Sequence, residues 1–212
     1  MTRSWLPLVL TPALLVAVLA LGTDVVAHAA GAGQLLSAVL VALYVTWMLG
    51  EGGWVSVADA RRTDAPRDAG TLEVYALARG AVAVTALALP GRLTPALLAP
   101  GAALLVLGVA LRLEAIRTLG AFYSHRVRLE AGQAVVVRSV YAHLRHPAYA
   151  GMLLAHAGWC LALASVPGAL VLALGLLPAI VRRIAVEERT LLELDGYADY
   201  ARRTARLVPG VW

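Results

Sequence analysis

Lysine is absent from this 212-residue chain, and cysteine occurs once, at Cys160. A single thiol excludes an intrachain disulfide framework and a cysteine metal site. Its place inside an apolar stretch assigns it to packing. No metal site is expected. Without lysine all 18 basic residues are arginines, so the net charge of +5 and the pI of about 9.9 rest on guanidinium groups. Those arginines border apolar segments instead of forming a basic tract, which argues against a nucleic-acid partner. An internal repeat is missing too, and so is the glycine fingerprint of a dinucleotide site.

What the chain has in abundance is apolar surface. Hydrophobic residues make up 60% of it and the mean hydropathy is +0.76, against roughly 45–50% apolar in soluble domains. Apolar stretches recur at Trp5–Leu21, Leu35–Leu49, Val74–Leu89 (interrupted by Arg79), Pro95–Leu111, Ala148–Ala164 and Ala169–Val181. Each falls short of the roughly 20 residues that cross a 30 Å hydrocarbon core. Flanking Trp, Tyr and Arg side chains and local thinning of the bilayer make up the difference. The expected fold is an all-α integral membrane protein of about six transmembrane helices, in contact with membrane lipids. Residues 1–110 form a scaffold of about four spans, and residues 111–212 a core with a C-terminal helical hairpin and a small polar cap.

The arginines orient this arrangement. With the N-terminus in the cytoplasm, Arg3, the Arg61-Arg62-Arg67 loop, the Arg112–Arg145 stretch and the Arg182–Arg206 tail all fall inside, and only Arg92 falls outside. Such a split is what the positive-inside rule requires of an even number of spans with both termini cytoplasmic. A bacterial plasma membrane is the expected location. Arg3, the apolar run after it and Ala27-His28-Ala29 also resemble a signal peptide, but the run is long for one and more spans follow. Asp59, Asp64 and Asp68 place Ala58–Gly70 in a solvated connection, and Val135-Val136-Val137 reads as a short extended piece buried in the cap.

Polar residues gather in the second half. Arg145-His146-Pro147-Ala148-Tyr149-Ala150-Gly151 opens one apolar segment, and Glu187-Glu188 closes the next after a turn at Ser165-Val166-Pro167-Gly168. A hairpin brings these two clusters together on one membrane face, where a polar ligand meets a lipophilic one. Pro147 fits the first turn of a helix, so His146-Pro147 reads as a helix start whose free amides suit an anionic group. Gly151 leaves space for a flat base or ribose to approach the backbone. Glu187 and Glu188 accept hydrogen bonds from hydroxyls or an ammonium, although Glu187 lies four residues from Arg183 and a plain surface pair fits equally. His156 reads either as an intramembrane functional group or as a packed histidine. Glu51 and Glu114 read as topology anchors, and His125 and Arg126 as candidates for an acceptor entrance.

Four spaced motifs then become specific together: Thr118–Tyr123, Tyr141–Gly151, Glu187-Glu188, and Gly196–Tyr200 with Thr204–Pro209. In this order they resemble the isoprenylcysteine carboxyl methyltransferase family, over about residues 111–212, and its phospholipid N-methyltransferase relatives. The chain departs from the family at Gln133-Ala134-Val135-Val136, at Ser139-Val140-Tyr141 and in a shortened tail after Gly196. Those departures bear on which acceptor it takes.

The resemblance implies an S-adenosylmethionine-dependent methyltransferase with a lipophilic or lipidated acceptor drawn from the bilayer. By this resemblance Tyr141, His146, Pro147, Tyr149, Gly151, Glu187 and Glu188 hold the cofactor, and Arg145 and Arg206 act on the cofactor or acceptor carboxylate. Carboxyl O-methylation of an isoprenylcysteine is the reaction most like it. Open beside it stand methylation of a phenolic, pyrone or amine lipid, a sterol-reductase-like NADPH enzyme, and a membrane scaffold or transporter.

Overall fold

The computed structural model describes residues 6–29, 31–60, 67–129, 132–210 and 212. Arg3 with the signal-like start, and Arg61, Arg62 and Asp64 of the first long connection, lie outside the described residues. The described chain is helical, without a β-strand: α1 (Leu6–His28), α2 (Ala32–Ala60), α3 (Thr71–Ala88), α4 (Pro95–Leu119), α5 (Pro147–Ala162), α6 (Val166–Val171), α7 (Leu177–Leu191) and α8 (Tyr197–Arg203). A wide turn at Leu172–Leu176 links α6 to α7, so Val166–Leu191 runs as one long helix with a local bulge.

Helix starts follow their sequence signals. Thr94 is extended before Pro95 opens α4, and His146 precedes Pro147 at the first position of α5. Ser165 caps α6 by accepting a hydrogen bond from the Gly168 amide at 3.1 Å. Gly120, with φ of 57°, ends α4 in a conformation that side chains avoid.

Four helical stretches are long and apolar enough to cross a membrane: Gly33–Glu51, Thr71–Ala88, Pro95–Phe122 and Val166–Leu191. Two of the six expected spans are shorter, the Pro12–His28 part of α1 and the 16-residue α5. Leu35, Leu107 and Leu174 are exposed on the long stretches, as lipid-facing side chains would be. The expected extended piece at Val135–Val137 is coil, with no strand partner among the described residues and Val137 59% exposed.

The hairpin expected between the last two apolar segments is looser than their adjacency suggests. α5 lies along α4, while α6 lies on α3, where a Cβ at Gly168 would meet that of Ala86 at 2.8 Å. Glycines make the α4–α5 seam. A Cβ at Gly101 would stand 2.4 Å from the Ala162 amide nitrogen, one at Gly108 2.3 Å from that of Ala155, and one at Gly158 2.4 Å from that of Leu105. Backbone therefore packs on backbone, as at small-residue seams in membrane helices. Around this seam the core holds Tyr44 stacked on Trp159 (centroids 4.2 Å apart) and His156, fully buried, with Nδ1 2.9 Å from the Met152 carbonyl and Nε2 3.2 Å from the Tyr44 hydroxyl. Both ring nitrogens are satisfied, so His156 is a packing residue.

One end of the bundle is tied by short connections: Gly91 donates its amide to Leu163 O at 2.9 Å, and Ser165 Oγ donates to Leu89 O at 2.8 Å. At the other end the C-termini of α4 and α7 meet the N-termini of α3 and α5. The polar groups converge there.

Candidate active site

The floor of this polar end is a buried ion cluster. Glu51 of α2 is 5% exposed and takes two parallel bonds from Arg112 of α4, Nε to Oε2 at 2.7 Å and Nη2 to Oε1 at 2.5 Å. Arg79 of α3 adds a third contact at 3.3 Å. Having neutralised its charge, Arg112 donates onward to Ala148 O (3.0 Å) and to the Tyr123 hydroxyl (3.1 Å). Glu51, the last residue of the Gly33–Glu51 stretch, is therefore a buried ion-pair partner.

Above the floor Glu188 gathers three segments. Its Oε1 receives Arg145 Nη1 at 2.8 Å and His146 Nε2 at 3.1 Å, and its Oε2 receives Arg206 Nε at 3.0 Å. A carboxylate at neutral pH has no proton to give, so His146 Nε2 is the donor. The loop and the tail are also joined through backbone, with Arg145 N bonded to Ala205 O at 2.7 Å and His146 N to Arg206 O at 3.1 Å. Tyr200 braces the same place by reaching Tyr141 O (2.8 Å) and Leu144 O (3.2 Å).

Next to this hub, Glu187 Oε2 accepts from the Tyr149 hydroxyl at 2.7 Å, and that hydroxyl accepts from Arg183 Nε at 2.8 Å. Glu187 Oε1 stands 4.0 Å from His146 Nδ1, beyond a hydrogen bond. Arg183 is 2% exposed and bonds Thr71 Oγ1 at 3.1 Å and the His125 carbonyl, so it is not the surface partner that its spacing from Glu187 allows. Asp68 pins the loop from the other side. It accepts from the Val127 amide at 2.7 Å and from Arg126 at 3.0 Å.

These groups wall a pocket whose empty volume is about 1010 Å³, its open mouth included. Of the nine residues expected at the site, Tyr141, Arg145, His146, Tyr149 and Glu187 line it; Pro147, Gly151, Glu188 and Arg206 do not. Gly151 is a correction. Its missing side chain faces α4, where a Cβ would lie 2.6 Å from Gly108 O and 2.7 Å from Arg112 N, so no base or ribose reaches it. Of the helix-start amides, those of Tyr149 and Ala150 are bonded to His146 O at 3.1 Å each. Arg206 is held by Glu188 and lies over the Trp212 ring at 5.0 Å. His125 and Arg126 do line the pocket.

In the pocket-lining residues Arg145, Tyr197 and Tyr75, the buried atoms Arg145 Nε, Tyr197 Oη and Tyr75 Oη have no hydrogen-bond partner among the described residues. An unpaired buried donor costs on the order of 1–3 kcal/mol, so the set marks where a ligand would bind. Burial, seconded by Glu187 for Tyr141 and by Glu188 for Tyr197, raises both phenols well above the ordinary tyrosine range. Burial likewise pushes Tyr200 up to about 12. All three therefore stay neutral hydrogen-bond donors at physiological pH. Sequence reasoning assigned no role to Tyr75 or Tyr197, gave Arg112 only to a topological stretch and placed Asp68 in a solvated loop. Only Arg112 and Arg183 carried a signal, as arginines inside or beside apolar segments.

The molecule is thus a helical membrane protein with a polar pocket at one end of its bundle. Residues 101–193, somewhat less than half of the chain, match the isoprenylcysteine carboxyl methyltransferase family. It is similar to protein-S-isoprenylcysteine O-methyltransferase B of Arabidopsis thaliana, at 33% identity over 115 residues, covering 52% of this chain and 58% of the relative. It is also similar to the A form from the same plant, at 30% identity over 115 residues with the same coverage. The chain thus spans somewhat more than half the length of these curated relatives.

Proposed function

We propose that this protein is a methyltransferase that uses S-adenosylmethionine to esterify the carboxylate of a lipophilic acceptor, an isoprenylated cysteine being the best fit. One observation carries the reading: the pocket beside the Glu188 hub combines a carboxylate with one oxygen unspent, Glu187, and two unpaired buried donors, Arg145 Nε and Tyr197 Oη. A ligand with an amino acid head and hydroxyls needs both kinds of partner, and the matched family and relatives are methyltransferases by name.

The residues divide the work. Arg145 would meet the cofactor's carboxylate and Glu187 its ammonium or ribose hydroxyls, with Tyr197 and Tyr141 as neutral donors. Glu188 neutralises Arg145 in part and fixes its direction, since one guanidinium nitrogen is held while Nε stays available. When bound, S-adenosylmethionine supplies a methyl carbon already activated by a positive sulfur, which an acceptor oxygen can displace without metal or base. Alignment of that oxygen is then the main contribution left to the protein, and it can supply on the order of 7–11 kcal/mol.

In this reading α1 and α5 complete six crossings with the four long stretches, both termini are cytoplasmic, and the pocket faces the cytoplasm at a bacterial plasma membrane. The acceptor arrives laterally from the bilayer. The experiment is thermal unfolding of detergent-solubilised protein with S-adenosylhomocysteine or NADPH added. A ligand of the folded state raises Tm. Stabilisation by the first alone is expected; stabilisation by NADPH alone overturns the reading in favour of a reductase.

A further inference from the structure

We infer that Tyr75, on helix α3 of the first half of the chain, holds the acceptor's carboxylate through its phenolic hydroxyl; the inference rests on the methyl-transfer reading above. Tyr75 lies outside the matched residues 101–193, so the family match says nothing of it. It is 5% exposed, lines the pocket, and its hydroxyl has no hydrogen-bond partner among the described residues. Its ring, by contrast, is fixed: edge-on to Tyr149 at 6.0 Å and under the Arg183 guanidinium at 5.9 Å. A rigid ring ending in an unspent donor is a positioned hydrogen bond waiting for an acceptor atom.

Two guanidinium groups of the pocket are already engaged. Arg112 is bonded to Glu51, Ala148 O and Tyr123, and Arg183 to Tyr149, Thr71 and His125 O. Arg145 Nε and Tyr197 Oη, also unpartnered among the described residues, lie with the Glu188 hub, where the cofactor is assigned. Tyr75, on α3 beside Tyr149 and Arg183, is assigned to the second substrate.

A neutral donor also suits the chemistry better than a cation. In the transfer the acceptor's oxygen lone pair forms the bond to carbon as the carbon–sulfur pair is retained by sulfur, and no proton moves. Negative charge on the oxygen and positive charge on the sulfur both fade toward the transition state. A guanidinium ion pair would be strongest before reaction and would hold the ground state back, whereas a phenol aligns the carboxylate with less to lose. The floor fits this logic, because Glu51 neutralises Arg112 directly beneath the pocket.

The test compares binding of N-acetyl-S-farnesylcysteine with N-acetyl-S-farnesylcysteamine, which lacks the carboxyl group, to wild type and Tyr75→Phe. The acid should bind Tyr75→Phe roughly tenfold more weakly than wild type, the loss expected for a hydrogen bond to a charged group, while the cysteamine binds both alike. S-adenosylhomocysteine affinity should not change. Tm should stay level or rise, because an unpartnered buried hydroxyl has been removed. Equal losses for both acceptor analogues, no loss for either, or a wild type that does not bind the acid would each overturn the assignment. Failure of wild type to bind S-adenosylhomocysteine would instead sink the methyl-transfer reading, and the acid-against-cysteamine contrast would still decide Tyr75.

Discussion

Glu51 and Arg112 face each other side-on across 61 residues of sequence, joined by two bonds of 2.7 and 2.5 Å with almost no solvent contact. Removing one partner of such a pair leaves a buried charge uncompensated, at a typical cost of about 3–5 kcal/mol. Glu51→Gln should therefore lower stability by that order. Arg112 also supports Ala148 O and Tyr123, so ligand binding should fall with it. Unfolding midpoints in detergent, with and without S-adenosylhomocysteine, check both. A variant as stable as wild type would show that Arg79 and Arg112 do not need the carboxylate.

Glu187 and Glu188 should separate. Glu187→Gln removes an unspent carboxylate oxygen from the pocket and should weaken S-adenosylhomocysteine roughly tenfold to a hundredfold, with little change in Tm. Glu188→Gln unties Arg145, His146 and Arg206 at once, so it should lose stability and affinity together. Calorimetry paired with thermal unfolding distinguishes the two patterns; identical behaviour would dissolve the distinction between ligand contact and hub.

Gly151→Ala is expected to act as a packing variant. The added methyl would collide with the α4 backbone at Gly108 O and Arg112 N, neither of which is a flexible side chain. Overpacking of this kind costs typically 1–3 kcal/mol. The variant should unfold earlier, and the protein that remains folded should bind S-adenosylhomocysteine with nearly normal affinity. Unchanged stability with abolished binding would return Gly151 to the cofactor.

Gln133 lines the pocket, while Arg92 lies in the α3–α4 connection near Leu163 and Ser165, at the opposite end of the bundle. Cysteines at Gln133 and Thr204 should be labelled from the cytoplasmic side of inverted vesicles, and one at Arg92 only from the other side. The native Cys160 is buried and should stay silent. A reversed pattern would overturn the proposed orientation.

The sequence revealed local order better than partners. Pro147 marked the start of α5, and the clustering of Tyr141–Tyr149 with Glu187-Glu188 was legible because helix ends and apolar runs repeat over short distances. It could not reveal that Glu188 would be occupied by Arg145, His146 and Arg206, since those pairings span 43, 42 and 18 residues and depend on how the segments dock. Gly151 shows the same limit. A glycine inside a motif signals close approach, but its neighbour is decided by the rotation of α5, which turns that face to α4. Asp68 and Arg183, 115 residues apart, looked like loop and surface charges until folding buried them together.

The glycine seam between α4 and α5 also decides where a doorway cannot be. Two backbones in contact at Gly101, Gly108, Gly151 and Gly158 leave no passage for a hydrocarbon chain, and parting them would mean breaking the most intimate surface in the bundle. A lipid arriving sideways must slip past some other pair of helices, and traffic through the molecule is steered by this closed wall as much as by any opening.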